Sequence, residues 1–286
     1  MMVKKLLMAG TISAALFLGG CGSSEQTNQE STSENKQAET MTAEQVLIKS
    51  SEVSAEVKNF EMIANTDMVM EIDGESIDAN TEIISQINLD PIFAYQKMNM
   101  ESQQEGESIE MEMYMTMDEL YFYTPEEDMW IKMSNDENEM LELAEIQREA
   151  DFSQQLEQMK PFADSFQVTD KGDVYELTFA GEGEELQSFI QDVALQNIDA
   201  EQAEMIQQTL EQVNYDSIEY SYTINKNTFY PETLIMDMTM TVEEDGSTMK
   251  MSLKMNASFA KFNELGDLSI PEEVQNNATE MNLDDF

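Results

Sequence analysis

Methionine is the residue whose number and spacing bear most on chemistry in this chain. The 286 residues hold 25 Met, one Cys and no His. Without imidazole, His-based triads, His-ligated metals and imidazole acid–base work are excluded. The single thiol, Cys21, permits neither an internal disulfide nor a thiolate cluster. The serines lack a His or Ser-x-x-Lys context, and no Gly-rich loop is present to cradle a phosphate. Carboxylates are so frequent that no pair stands out as tuned for acid–base work. Neither an enzyme nor a bound cofactor is expected.

The methionines fall on one parity of segments with period two. Met111, Met113 and Met115 alternate with Glu110, Glu112, Tyr114 and Thr116. Phe60, Met62, Met68, Met70 and Ile72 precede a turn at Gly74, and Ile77, Ala79, Ile83, Ile87 and Leu89 follow it. Leu234 to Val242 and Met249 to Phe259 do the same around Asp245-Gly246. This is the pattern of antiparallel sheet with one apolar and one wet face. The candidate ligand-lining set is Met68, Met70, Met98, Met100, Met111, Met113, Met115, Met236, Met238, Met240, Met249 and Met251. Strand interiors usually favour Val, Ile and aromatics, whereas unbranched, polarizable Met adapts to irregular apolar shapes such as an acyl chain. Two readings stay open: a concave face for a lipid-like or other apolar ligand, and a core simply packed with Met. Met-x-Met runs also carry thioethers, the soft donors of Cu(I). Such a site needs several sulfurs at one point, and alternation along strands is what sheet burial alone produces, so no metal is expected.

Other elements must position this face. Thr42 and Gln45 have capping-box spacing and open a helix to about Lys58 with Val46, Leu47, Val53 and Val57 as its stripe. Short strands follow over 119–124 and 129–133, with Tyr121, Phe122, Tyr123 and Trp130 forming an aromatic hairpin expected to anchor rather than to bind. Helices are expected through Met140–Ile146, Phe152–Met159, Leu186–Val193 and Asp199–Val213, with a hairpin at Lys171-Gly172-Asp173. Long strands return over 215–225, 232–243 and 247–261. The motifs Met98-x-Met100…Met111-x-Met113 and Met236-x-Met238…Met249-x-Met251 echo each other, through duplication or through two hairpins built alike. The fold class is α+β: an incomplete antiparallel β-barrel of about eleven strands wrapped around inserted helices.

The charge is lopsided, 14 Lys+Arg against 59 Asp+Glu for a net −45. Nucleic acid is not a partner for such a chain, and anionic lipid head groups do not suit its surface. The acidic turns lack calcium-loop spacing and are read as a solvated face.

The N-terminus reads as an address. Lys4 and Lys5 precede the apolar run Leu6–Leu18, too short to span a bilayer comfortably. Leu18-Gly19-Gly20-Cys21 resembles the lipobox of bacterial lipoproteins, which implies a diacylglycerol thioether on Cys21 and cleavage before it. Residues 1–20 are then a signal peptide, 21–40 a lipidated tether without large apolar residues, 41–275 the folded domain and 276–286 a flexible tail. The mature chain, with 12 basic and 59 acidic residues, carries −47. It is expected as a monomer on the extracytoplasmic face of the cell membrane.

The element order behind this lipobox resembles the LolA-like and LppX/LprG-like lipoproteins, which implies a half-barrel with lipid or lipoprotein handling. It is more closely similar to Gram-positive lipoproteins carrying a domain of unknown function. The shared motifs are Tyr121-Phe122-Tyr123…Trp130-Ile131-Lys132, Tyr222-x-Ile224-x-Lys226…Pro231 and Ile270-Pro271-Glu272-Glu273-Val274. The likeness covers about residues 42–275, and no catalytic residue travels with it. The function expected is a non-enzymatic, membrane-anchored protein holding an apolar ligand on the Met face. The alternative is a cell-envelope interaction protein with a packed core and an acidic partner-binding surface.

Overall fold

A computed structural model describes residues 41–72, 74–102, 108–134, 152–194, 207, 210, 213–244 and 247–281. Helix α1 (Ala43–Ser54) leads into strands β1 (Asn59–Ile72), β2 (Glu75–Leu89), β3 (Ile92–Ser102), β4 (Ser108–Thr116), β5 (Glu119–Thr124) and β6 (Met129–Ser134). Helix α2 (Phe152–Met159) and a 3-10 turn (Lys160–Ser165) precede β7 (Gln167–Asp170) and β8 (Val174–Glu182). Helix α3 (Gly183–Ala194) is followed by β9 (Val213–Asn225), β10 (Pro231–Glu244), β11 (Ser247–Ala260), α4 (Glu272–Asn277) and β12 (Thr279–Glu280).

Among the described residues, twelve strands form one open sheet in the order β12-β6-β5-β4-β3-β2-β1-β11-β10-β9-β8-β7. Two meanders, β1 to β6 and β7 to β11, thus meet where the first strand pairs with β11. Every neighbouring pair is antiparallel except β12 with β6, so the sheet is mixed. The fold is mostly β with few short helices, and it has one strand more than the eleven expected. That strand, β12, pairs with Ile131 and Lys132 on β6 and places part of the expected 276–286 tail in the sheet. Its two residues, Thr279 and Glu280, are too few to carry a strand period, which hid it.

The capping box forms as the spacing demands: the Thr42 hydroxyl accepts from the Gln45 N–H at 3.3 Å, and the Gln45 carboxamide oxygen accepts from the Thr42 N–H at 3.0 Å. Helix α1 ends at Ser54, short of Lys58. It buries Val46 and Leu47 with Leu156 of α2 against Phe60, Leu177, Tyr222 and Ile224 of the sheet. Phe152 anchors this packing, its ring 4.7 Å from that of Phe60 and 4.9 Å from that of Phe259. The hairpin at Gly172 also forms; its φ of +91° suits glycine, and Asp170 accepts the Gly172 N–H at 2.9 Å. The expected helix over Met140–Ile146 and most of the one over Asp199–Val213 lie outside the described residues, as do Cys21, the signal segment and the tether; Val213 itself begins β9.

Candidate functional site

Strand pairing turns the sequence parity into a two-dimensional face. One rung runs Met240–Met251–Met70–Ile77 across β10, β11, β1 and β2. The next runs Met238–Leu253–Met68–Ala79. Further along come Met236–Met255–Thr66–Thr81–Met100–Ile109 and then Leu234–Ala257–Ala64–Ile83–Met98–Met111. Met113 and Met115 follow on β4, opposite Gln96 and Ala94. Met249 closes the far end between Ile72 and Val242. Every residue of the candidate set therefore shares one face, called inner here.

The inner face is not one environment. On the β9–β11 side, Leu186 and Ile190 of α3, together with Leu210, pack on Met236, Met238, Met240 and Met251, each 7% exposed or less. Helix α3 turns its apolar stripe onto this half, and Gln187 fixes it by accepting from the Tyr215 N–H and donating to the carbonyls of Leu210 and Val213, all at 3.1 Å. On the β2–β4 side the same face is open among the described residues: Ile77 is 45%, Ile109 50% and Met111 45% exposed. Met98, Met100, Met113 and Met115 are half-buried there. Thr66, Thr81 and Ser85 interrupt the apolar surface between the halves. Met68, Met70 and Met249, also half-buried, lie along the boundary or at the far end.

The other face departs from the wet surface that the alternation implies. Over β3 to β6 it carries a second apolar layer, in which Phe93 and Tyr121 are buried under Ile270 and Val274 of the C-terminal segment. Tyr114 stands among Tyr95, Phe93 and Trp130, with ring centroids at 4.9, 6.4 and 5.4 Å. Tyr114 sat on the parity read as solvated; the aromatic run Phe93, Tyr95, Tyr114, Tyr121, Tyr123, Trp130 was the signal for a covered face. Of the hairpin aromatics, Tyr121 and Trp130 pack with the C-terminal segment, Tyr123 lies against Trp130, and Phe122 sits on the inner face opposite Met113 and Ile131.

Charges keep to the rims and the outer face. Lys254 pairs with Asp237 at 2.6 Å, Lys97 with Glu110 at 3.0 Å and Lys226 with Asp170 at 2.7 Å. The Lys261 ammonium, 2.8 Å from Glu61, and a Gln86 hydrogen bond at 3.1 Å hold the Glu61 carboxyl below its ordinary range against the opposing effect of burial. Lys132 and Tyr121 do the same for Glu119. On the inner face, burial pushes the Tyr220 and Tyr222 phenols up, so they stay neutral at any physiological pH. Among the described residues, no three Asp, Glu or Cys side chains converge to hold a metal ion. Among the described residues the face is thus an apolar, thioether-rich surface, half roofed and half open, with no charged group at its centre.

An open, mostly β single-sheet domain with an apolar inner face defines the class of protein. The chain belongs to a family of unknown function, DUF6612, which matches residues 42–279. Its structure is similar to that of LprF from Mycobacterium bovis, at 11% identity and a TM-score of 0.36, over 80% of this chain and 96% of that one. It is similar also to a DUF1329 family protein from Desulfovibrio piger, with 10% identity, a TM-score of 0.22 and coverage of 79% and 93%. A β-barrel-like protein of unknown function, DUF1849, from Brucella abortus is 8% identical, with a TM-score of 0.23 over 70% and 99% of the two chains. No curated protein matches this chain.

Proposed function

We propose that this chain is a non-enzymatic lipoprotein, held on the extracytoplasmic face of the cell membrane through Cys21, that shelters a lipid-like apolar ligand on the open half of its inner face. The observation that carries this reading is the contrast between the halves. The β9–β11 side is roofed by α3, whereas Ile77, Ile109 and Met111 remain about half exposed on the same sheet face. Exposed apolar side chains gathered on one sheet face mark a binding surface when they form a patch, and Ile109 and Met111 stand beside half-buried Met98 and Met100 there. Its Met side chains adapt to flexible chains, as rigid β-branched residues do not. In this reading the sheet is a half-barrel, with α1, α2 and α3 seated inside it and the ligand completing the inner layer. The absence of His from the whole chain and of a tuned carboxylate pair from its sequence supports binding rather than catalysis.

The test is native mass spectrometry of the protein purified from membranes, before and after organic extraction. A co-purifying mass that extraction removes, and that an apolar fluorescent probe then replaces, supports the ligand. A clean apo mass with no probe binding favours the alternative, a packed-core protein whose net charge of −45 meets a cationic envelope partner.

A further inference from the structure

The register gathers sulfurs that the sequence spreads over distant strands. Met70 on β1, Met251 on β11 and Met240 on β10 stand side by side in one rung as direct cross-strand partners. Met68 and Met238 flank Leu253 in the neighbouring rung, and Met249 lies in the rung beyond. Side chains of directly opposed residues start about 4.5–5.5 Å apart at Cβ. Two rotatable bonds then swing each sulfur, so Met251, in the middle strand, can bring its thioether toward that of Met70 on one side and Met240 on the other. The alternation that spaces sulfurs apart along one strand sets them side by side across three.

We propose that Met70, Met240 and Met251 form a thioether site for a soft monovalent cation, Cu(I) or Ag(I). The chemistry of the donors selects the ion. Neutral thioethers suit soft d10 cations, while Ca²⁺ and Mg²⁺ require oxygen ligands. Leu186 and Ile190 share one buried cluster with Met240 and Met251, so two of the three thioethers lie away from water. Half-buried Met70 leaves an approach that fully covered Met240 and Met251 do not. Because thioethers carry no charge, the bound ion keeps its own, and a chain of net charge −45 surrounds it with a favourable field. Met240 and Met251 lie under α3, whereas Met70 stands at the boundary with the open half, directly across from Ile77 on β2.

The experiment uses the full chain carrying Cys21→Ser, so that no thiol competes. Ascorbate-reduced copper is offered in the presence of a chromophoric Cu(I) chelator, and Ag(I) alone is titrated in parallel. The expected result is saturable withdrawal of copper from the chelator. Met70→Leu and Met251→Leu, both nearly volume-conserving, should each weaken it roughly tenfold or more, the scale on which even outer-shell partners of a metal act. Met98→Leu, on the same face but in the open half, should leave it unchanged. The proposal is overturned if the chelator keeps its copper, if Met70→Leu and Met251→Leu bind like their parent, or if Met98→Leu loses as much as they do.

Discussion

Introducing a carboxylate at two points of the Met face separates a roofed half from an open one. Met238 is 5% exposed beneath Leu186 and Ile190, and Met111 is 45% exposed on β4. Met238→Glu forfeits the burial of a Met side chain, about 1.5–3 kcal/mol. It also places a carboxylate where ionisation or forced protonation costs several kcal/mol more. The sum, roughly 5 kcal/mol or above, rivals the whole stability of an ordinary domain, about 5–15 kcal/mol. Met111→Glu removes a side chain already half in water and leaves its charge hydrated, for a cost of about 1 kcal/mol or less. Repulsion from Glu110 and Glu112 on the opposite face adds a few tenths at most. Urea titration followed by the fluorescence of Trp130, the only tryptophan, reads both. Met238→Glu should be unfolded or nearly so at zero urea; Met111→Glu should unfold near the parent midpoint yet lose binding of an apolar probe. If Met111→Glu is as destabilised as Met238→Glu, the open half is in fact covered and the packed-core reading replaces the ligand. If Met238→Glu folds normally, α3 does not roof the sheet as described.

Three further outcomes are expected. Cys21→Ser should release the chain from the membrane fraction, since the tether offers no second hydrophobic attachment; persistence in the pellet at high salt would sink the lipoprotein reading. Glu61→Gln should cost about 1 kcal/mol at pH 7 through the lost Lys261 pair. Because the folded pKa of Glu61 lies below its unfolded value of about 4.3, that difference persists above pH 4.3 and vanishes as pH falls through the folded value, so parent and variant should converge in acid denaturation. With a net charge of −45, added salt should raise the melting temperature according to ionic strength alone, and a saturable shift at micromolar calcium would place a specific site in the acidic turns instead.

Much of the sheet was legible because its period is the simplest signal a sequence carries. Met111 to Met115 and Leu234 to Val242 alternate without a fault, and both lie where the alternation puts them. The α1 start was equally plain, since Thr42 and Gln45 satisfy each other locally. What escaped depends on contacts between remote segments. Nothing in Met236–Met240 tells that α3 covers it while Ile109 and Met111, of the same pattern, stay open. Parity assigns a face but not what lies upon it. The outer layer failed for the same reason: Tyr114 reads as solvated until Ile270 and Val274 return from the far end of the chain. The rung of Met70, Met251 and Met240 is likewise invisible along any one strand, because register is a property of pairs.

The junction of β1 with β11 has a consequence for how the molecule is made. Even the nearest partners in that ladder, Ile72 and Met249, lie 177 positions apart, and Glu61 waits for Ala260. The β1–β6 meander completes its own hairpins early, from local closures of a few residues. It must then keep one flank of its first strand unsatisfied while nearly all of the remaining chain is synthesised. The entropy of closing so long a loop grows only with the logarithm of its length, about 0.6 kcal/mol for each doubling, so the delay weighs on rate far more than on final stability. During that interval the bare flank of β1, with Met62, Met68, Met70, Ile63 and Ile72, is the point at which two immature copies would zip together. The acidic residues that β1 carries, Glu61, Asp67 and Glu71, repel a second copy in that interval and do so before any native partner exists.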